Sequence, residues 1–386
     1  MNIYEYIKTE VSQWKSTNYA SDYVAIAEIL EWQVLNGKNG SSALRYLRKP
    51  QLEALETYWY LRLVKGTPHI FDLYNTLISD SYNRLLALGV PVGHEKIQRL
   101  LAQGGAELVI EKIKTDDEFV RQYRLYAARE TIALRYPSYI LALAMGAGKT
   151  VLIGSIIATE FAMAHEYPDG PFVKNALVFA PGKTILGALK ELSSVPFDKI
   201  LPQRLYKQFI STIKFTYTRD GQKNIPVIPG SPFNVIVTNT EKIRITKQSI
   251  TKGLLGEMFF TGRDEEEVKE DVANQRLKTI ASLPNLAIFS DEAHHTYGQA
   301  LDSELKQVRK TVDYLAQNTD VKVVVNTTGT PYYRRQTLKD VVYWYGLSQG
   351  IKDGILKEVR GNIMAFPKLD FKQIVRQVFK DFFAAM

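Results

Sequence analysis

The stretch that decides the fold is LAMGAGKT, residues 143–150. It follows the apolar run YILALA (139–144), which predicts a strand, and it opens the segment 150–164, which predicts a helix. Gly146 and Gly148 let the backbone turn tightly, so that its N–H groups can point at phosphate oxygens. A chance glycine-rich turn before a helix is the alternative. The strand–turn–helix context favours a phosphate-binding loop.

The side chains of this turn predict a nucleoside triphosphate as the ligand. Lys149 offers a positive charge to the β and γ phosphates, and the Thr150 hydroxyl can bind Mg²⁺. ATP and Mg²⁺ are therefore the expected cofactors. The predicted nucleotide contacts are Met145, Gly146, Ala147, Gly148, Lys149 and Thr150.

Outward from this turn, apolar runs alternate with helical segments. The further strand candidates are NALVFAP (175–181), FNVIVTN (233–239), NLAIFSD (285–291) and VKVVVNTTG (321–329). Each is almost continuously apolar, as strands covered on both faces of a parallel sheet must be. With helices such as 302–316 between them, these strands predict an α/β fold with a mostly parallel sheet. The proline-containing segment 193–232 and the acidic segment 262–273 are expected to be surface insertions.

The first 135 residues carry a different pattern. Apolar residues recur there at three- and four-residue spacing, which predicts helices over 21–35, 51–64, 71–90, 94–113 and 123–134. We therefore expect a helical N-terminal region at 1–135, an α/β lobe at 136–350 and a C-terminal segment at 351–386.

A second chemical signal is FSDEAHH, residues 289–295, at the end of a predicted strand. A carboxylate at a strand's C-terminal edge can hold Mg²⁺, which is the role predicted for Asp291. Glu292 can orient and deprotonate an attacking water. A solvated helix start is the alternative for these residues taken alone.

The bulk composition narrows the class of partner. The net charge of +8 and the pI near 9.2 favour a polyanion such as nucleic acid. The chain has no cysteine, which excludes disulfides and thiolate metal sites and fits a cytosolic protein. The N-terminal MNIYEYIKTE lacks the basic start of a signal peptide, and no run is long enough to span a membrane.

Together these motifs resemble those of the superfamily 2 helicases. LAMGAGKT is similar to their motif I, although Leu143 stands where the common pattern has its first glycine. Asp291 to His294 reads DEAH, as in their motif II, and TTGTP (327–331) resembles motif III, with Gly329 where alanine is usual. The resemblance covers about residues 140–350 and implies a RecA-like lobe. It also implies that His294, Thr328 and Thr330 couple the ATP site to movement.

The same resemblance implies a binding site for nucleic acid. FAPGKTILGALKEL (179–192) is similar to motif Ia, and VIVTNTEKI (235–243) lies where a later strand-binding motif falls. Such motors hold mainly the phosphate backbone. The implied contacts are Pro181, Gly182, Lys183, Thr184, Thr238, Asn239 and Thr240, for which plain turn chemistry is the alternative.

Within the superfamily, two stretches resemble the restriction subunit of type III restriction enzymes. They are DVVYWYGLSQGIKDGILKE (340–358) and LRKPQLEALETYWYL (47–61). The second is similar to a helix that recognises adenine, which implies that role for Arg48 and Gln51; a packing helix is the alternative. The likeness implies an ATP-dependent translocase on double-stranded DNA in the bacterial cytoplasm, with a DNA-modification subunit as a partner. The alternatives are a nucleotide-gated binding module and an RNA helicase lobe.

Motors of this superfamily use two RecA-like lobes, the second of which supplies arginines to the γ-phosphate. Residues 351–386 are too few for such a lobe and are expected to be a linker or its start. A second lobe or a C-terminal nuclease region is therefore expected outside this chain, and hydrolysis by the chain alone is expected to be weak.

Overall fold

The computed structural model describes residues 2–36, 42–179, 185–218, 225, 233–239, 243, 275–291, 304–333, 336–357 and 370–384. Residues Met1–Gly346 form one compact unit, and Leu347–Met386 form another. The helices of the first 135 residues thus lie in the same unit as the sheet. The boundaries expected at 135 and 350 stay predictions.

The N-terminal region is helical, as expected. Its helices are α1 (Ile3–Ser16), α2 (Ala25–Trp32), α3 (Lys49–Trp59), α4 (Ile70–Leu77), α5 (Ser81–Ala87), α6 (Glu95–Thr115), α7 (Asp117–Tyr123) and α8 (Tyr126–Ile132). A small hairpin, β1 (Val34–Asn36) with β2 (Ser42–Leu44), follows α2, and α3 runs on into one π-helical turn, Tyr60–Val64.

The core of the large unit is a seven-stranded sheet. Its strands are β3 (Ser138–Leu143), β4 (Asn175–Phe179), β5 (Lys214–Tyr217), β6 (Asn234–Thr238), β7 (Leu286–Asp291), β8 (Val321–Thr328) and β11 (Val341–Tyr345). The order is β11-β3-β8-β7-β4-β6-β5, and every neighbouring pair is parallel. All residues of β3, β4 and β6 are buried, which explains their continuous apolar sequences.

The strands are connected by helices. These are α9 (Lys149–Glu166), α10 (Ile185–Ser193), α11 (Phe197–Ile200), α12 (Gln203–Thr212), α13 (275–281) and α14 (Glu304–Asn318). A short antiparallel pair, β9 (Tyr332–Tyr333) with β10 (Gln336–Thr337), precedes β11. The second unit contains α15 (Leu347–Lys352) and α16 (Phe371–Ala384). The α/β fold with a mostly parallel sheet is confirmed.

Two sequence-based expectations are corrected. The segment 193–232 is not simply a surface insertion, because it contains α11, α12 and the edge strand β5. The predicted helix 71–90 is two helices, since Asp80 caps α5 by accepting the N–H of Asn83 at 2.8 Å. The acidic segment 262–273 lies outside the described residues.

A buried ion pair joins the N-terminal helices to α9. The Glu160 carboxylate, fully buried on α9, accepts from Arg62 Nε at 2.6 Å, from the Tyr58 hydroxyl at 2.5 Å and from the Val173 N–H at 2.9 Å. At the preceding residue of α9, the Thr159 hydroxyl accepts from Trp59 Nε1 at 3.1 Å. These contacts hold α3 firmly against the helix that starts at Lys149. No helix in the described part of the chain has the length and apolar character needed to cross a bilayer.

Candidate functional site

Three central strands bring the predicted site residues to one edge of the sheet. Thr327 on β8 pairs in register with Leu141 on β3 and with Asp291 on β7. One strand, β8, therefore lies between Asp291 and the strand from which the loop begins. With strands about 4.8 Å apart, the two sides of the site are separated by about 10 Å. The carboxyl ends of parallel strands are where open α/β sheets bind ligands.

The loop after β3 has the backbone of an anion cradle. Gly146 and Gly148 have φ values of +79° and +87°, a region that side-chain-bearing residues rarely adopt. The loop is closed by the Ala147 N–H, which donates to the Ala144 carbonyl at 3.1 Å. Gly148 caps the N-terminus of α9, so the positive end of that helix faces the cradle.

Helix α3 contacts the loop directly through its first turn. Arg48 Nη1 donates to the Gly146 carbonyl at 2.8 Å, and Gln51 Nε2 donates to the Gly148 carbonyl at 2.9 Å. Gln51 is 3% exposed and its Oε1 also accepts the Arg48 N–H at 2.8 Å. A Cβ at Gly148 would lie 2.2 Å from Gln51 Nε2, so a side chain there would displace the Gln51 amide, and the φ of +87° also favours glycine. The two residues expected near the nucleotide, 98 and 97 positions from their loop partners, do lie against the loop.

Asp291 is held at the end of β7 by its neighbour on β8. The buried Thr327 hydroxyl donates to Asp291 Oδ1 at 2.8 Å. The next residue, Thr328, accepts the Thr330 N–H on its hydroxyl at 3.1 Å, which forms a turn at the end of β8. Glu292 and His294 lie outside the described residues.

Gly329 follows Thr328 and packs against the loop. A Cβ placed there would lie 3.3 Å from Met145 Cγ and 3.4 Å from the Leu143 carbonyl oxygen. The methyl group of an alanine, the usual residue at this position of the motif, would therefore make a tight contact with the loop. Met145 itself is 73% exposed.

Thr150, the predicted metal-binding hydroxyl, has a partner that the sequence did not indicate. Its Oγ1 donates to Glu191 Oε2 on α10 at 3.3 Å. Glu191 lies in the motif Ia-like stretch 179–192, but no local pattern singles it out.

The structure describes only two of the seven residues predicted to contact nucleic acid. Pro181, Gly182, Lys183, Thr184 and Thr240 lie outside the described residues. Thr238 and Asn239 are buried, and the Thr238 hydroxyl lies 3.0 Å from that of Thr218. A phosphate contact near Thr238 would therefore come from a neighbouring group rather than from the Thr238 hydroxyl.

The donor set suits magnesium. Thr150 and Asp291 offer hard oxygen atoms, and Mg²⁺ is commonly held by one or two protein oxygens together with phosphates and water. Among the described residues no group of three or more His, Asp or Glu side chains is arranged for an all-protein metal site. A cation shared with a triphosphate fits this geometry better than a cation bound by protein alone.

Comparison with known proteins agrees with this geometry. The family model described as type III restriction enzyme, res subunit, matches residues 118–333, more than half of the 386 residues. The matched range starts in α7 and ends after β8, so it contains the loop, Asp291 and the TTGTP turn. No match was found among curated proteins.

Proposed function

The chain belongs to the family of the type III restriction enzyme res subunit, and from that premise we propose that it is the ATP-binding lobe of a motor that moves on double-stranded DNA. The family implies an ATP-dependent nucleic-acid motor with a RecA-like lobe. The observation that carries the proposal is the register of β3, β8 and β7, which leaves only the strand β8 between the start of the glycine-rich loop and Asp291.

In the proposed site, each residue has a separate task. The loop N–H groups and Lys149 hold the phosphates, and Thr150 and Asp291 hold the magnesium ion. Bound magnesium neutralises charge on the phosphate oxygens. Glu292, next to Asp291 in the sequence, orients the attacking water and takes its proton. His294, Thr328 and Thr330 couple the site to movement.

We also propose that Arg48 and Gln51 recognise the adenine base. Their contacts with the Gly146 and Gly148 carbonyls support a location beside the bound nucleotide. The Gln51 amide has a second N–H and a second lone pair with which to meet a base edge. Because the same side chains hold the loop, base recognition and phosphate binding would be linked.

Nucleic acid is proposed to bind through its phosphate backbone at the carboxyl edge of the sheet, at 181–184 and 238–240. The net charge of +8 supports a polyanionic partner. The further partners proposed are a second RecA-like lobe, a nuclease region and a DNA-modification subunit.

The test of the nucleotide site is equilibrium binding of a fluorescent ATP analogue with magnesium. Lys149→Ala should weaken binding while the chain stays folded. Lys8→Ala, which removes an exposed lysine of α1, is the charge-matched control and should bind as the unaltered chain does. Equal affinity of Lys149→Ala and the control would refute the assignment of the loop.

The test of the partner is binding to duplex DNA, single-stranded DNA and RNA over a range of salt concentrations. Backbone binding predicts a linear fall of the logarithm of the binding constant with the logarithm of salt concentration. The proposal predicts preference for duplex DNA at each salt concentration. A preference for RNA would replace the DNA motor with an RNA helicase lobe.

A further inference from the structure

The Thr150 hydroxyl donates a hydrogen bond to a carboxylate on α10. A hydroxyl has one proton and two lone pairs. A hydroxyl that binds a cation must turn its lone pairs to the cation, so its proton needs another acceptor. In this structure that acceptor is Glu191 Oε2, 3.3 Å from Thr150 Oγ1. Asp291, the other proposed magnesium ligand, accepts from Thr327 instead.

The packing of α10 on α9 fixes the backbone positions of the two residues. Gly154 lies one turn after Thr150 on α9, and Val195 lies four residues after Glu191, just beyond α10. A Cβ at Gly154 would come within 3.1 Å of Val195 Cγ2 and 3.4 Å of Leu192 Cδ1. The absence of a side chain at Gly154 therefore lets the two segments approach closely, which brings Glu191 to Thr150.

We propose that Glu191 is a positioning residue of the magnesium site: its carboxylate accepts a hydrogen bond from the Thr150 hydroxyl and so turns the lone pairs of that oxygen to the cation. This inference rests on the proposed nucleotide site. It assigns a role on α10, the helix that directly follows the proposed nucleic-acid contact 181–184.

The expected effect is on magnesium rather than on the nucleotide. Loss of a hydrogen-bond partner to a metal ligand typically lowers metal affinity by about 10- to 100-fold, so Glu191→Ala should raise the magnesium concentration needed for half-maximal nucleotide binding by that factor. Glu191→Gln keeps an acceptor oxygen and should fall between Ala and the unaltered chain. With a chelator present, Glu191→Ala should bind the analogue no more weakly than the unaltered chain, because it removes a negative charge near the triphosphate.

The decisive experiment is a double-mutant cycle on the full chain. A fluorescent ATP analogue is held at fixed concentration, magnesium is titrated, and the midpoint is measured for Glu191→Ala, Thr150→Val and the double variant. If Glu191 acts through the Thr150 hydroxyl, the double variant needs no more magnesium than Thr150→Val alone. Additive shifts, or a Glu191→Ala midpoint equal to that of the unaltered chain, would overturn the inference.

The control is Asp169→Asn, which removes one exposed carboxylate just beyond the opposite end of α9. Thr150 and Glu166 are about 24 Å apart along that helix, so the control should leave the midpoint unchanged. If the unaltered chain binds the analogue with a clear magnesium dependence and Glu191→Ala matches the control, the inference fails while the proposed function stands. If the unaltered chain binds no nucleotide, the proposed function fails and the inference fails with it.

Discussion

Replacing Glu160 with leucine is the perturbation for which the structure gives the most definite magnitude. The carboxylate accepts hydrogen bonds from Arg62 Nε at 2.6 Å and Arg62 Nη2 at 3.3 Å. It also accepts from the Tyr58 hydroxyl and the Val173 N–H. The side chains of Arg62 and Glu160 are 3% and 0% exposed. Burial alone would lower the pKa of Arg62, but Glu160 outweighs it, so the pKa lies above its ordinary value and the guanidinium stays charged.

Glu160→Leu would leave that charge buried, and its remaining hydrogen-bond partners among the described residues would be the Thr67 hydroxyl, at 2.6 Å, and the Pro171 carbonyl, at 2.8 Å. Breaking a buried pair by removing one member costs about 3–5 kcal/mol, and we expect a loss of unfolding free energy in that range. The double variant Arg62→Met with Glu160→Leu removes both charges of this buried pair. The residual loss should be smaller than that of Glu160→Leu alone, because the Tyr58 hydroxyl and the Val173 N–H lose their acceptor in both variants, while the double variant leaves no charge buried at this site.

The assay is urea unfolding at neutral pH, followed by circular dichroism, for the unaltered chain, Glu160→Leu, the double variant and one control variant. Arg99→Gln is the control, since Arg99 forms an exposed pair with Glu95 and its loss should cost less than about 1 kcal/mol. The account is refuted if Glu160→Leu costs no more than this control, or if the double variant is less stable than Glu160→Leu. Either result would show that the buried pair does not hold α3 on α9.

Three further predictions concern the site and the core. Gly148→Ala should lower nucleotide affinity, because its Cβ would lie 2.2 Å from Gln51 Nε2 at a φ of +87°; titration of an ATP analogue checks this, and unchanged affinity would count against the loop geometry. Glu292→Gln should keep nucleotide binding and abolish hydrolysis, measured as phosphate release; equal release by both forms would remove Glu292 from the proposed mechanism. Stability should fall as pH rises above about 10. Burial raises the pKa of several tyrosines, which the folded chain therefore keeps protonated when the unfolded chain ionises; urea unfolding at pH 8 and 11 tests this, and equal stabilities would contradict it. These tyrosines are Tyr58, Tyr74, Tyr136, Tyr139 and Tyr343.

Five strands of the sheet could be predicted because each is buried on both faces and its sequence is almost continuously apolar. The two edge strands, β5 and β11, were missed. The sequence of β5, KFTY, alternates polar with aromatic residues, and only one of the four residues is buried. Strand β11 is apolar, VVYWY, but it was interpreted by resemblance as part of a longer passage out of the lobe. Strand β5 is only partly covered, so its sequence is less uniformly apolar than that of a central strand.

The site likewise has one part that the sequence predicts and another that it does not. The loop 143–150 and the end of β7 could be predicted because each is a continuous run of residues with a known chemistry. The contacts of Thr150 with Glu191, and of Arg48 and Gln51 with the loop, join residues 41, 98 and 97 positions apart. No periodicity covers such distances, and the packing of α10 and α3 against α9 creates these contacts. A resemblance pointed to Arg48 and Gln51, while nothing in the sequence pointed to Glu191.

The most direct test of the central claim is a crystal structure of this chain with magnesium and an ATP analogue that cannot be hydrolysed. The account predicts the triphosphate in the cradle of residues 145–149, with one magnesium ion bound through Thr150 and, directly or through water, through Asp291. A nucleotide bound elsewhere, or a triphosphate in the cradle whose metal contacts neither residue, would contradict it.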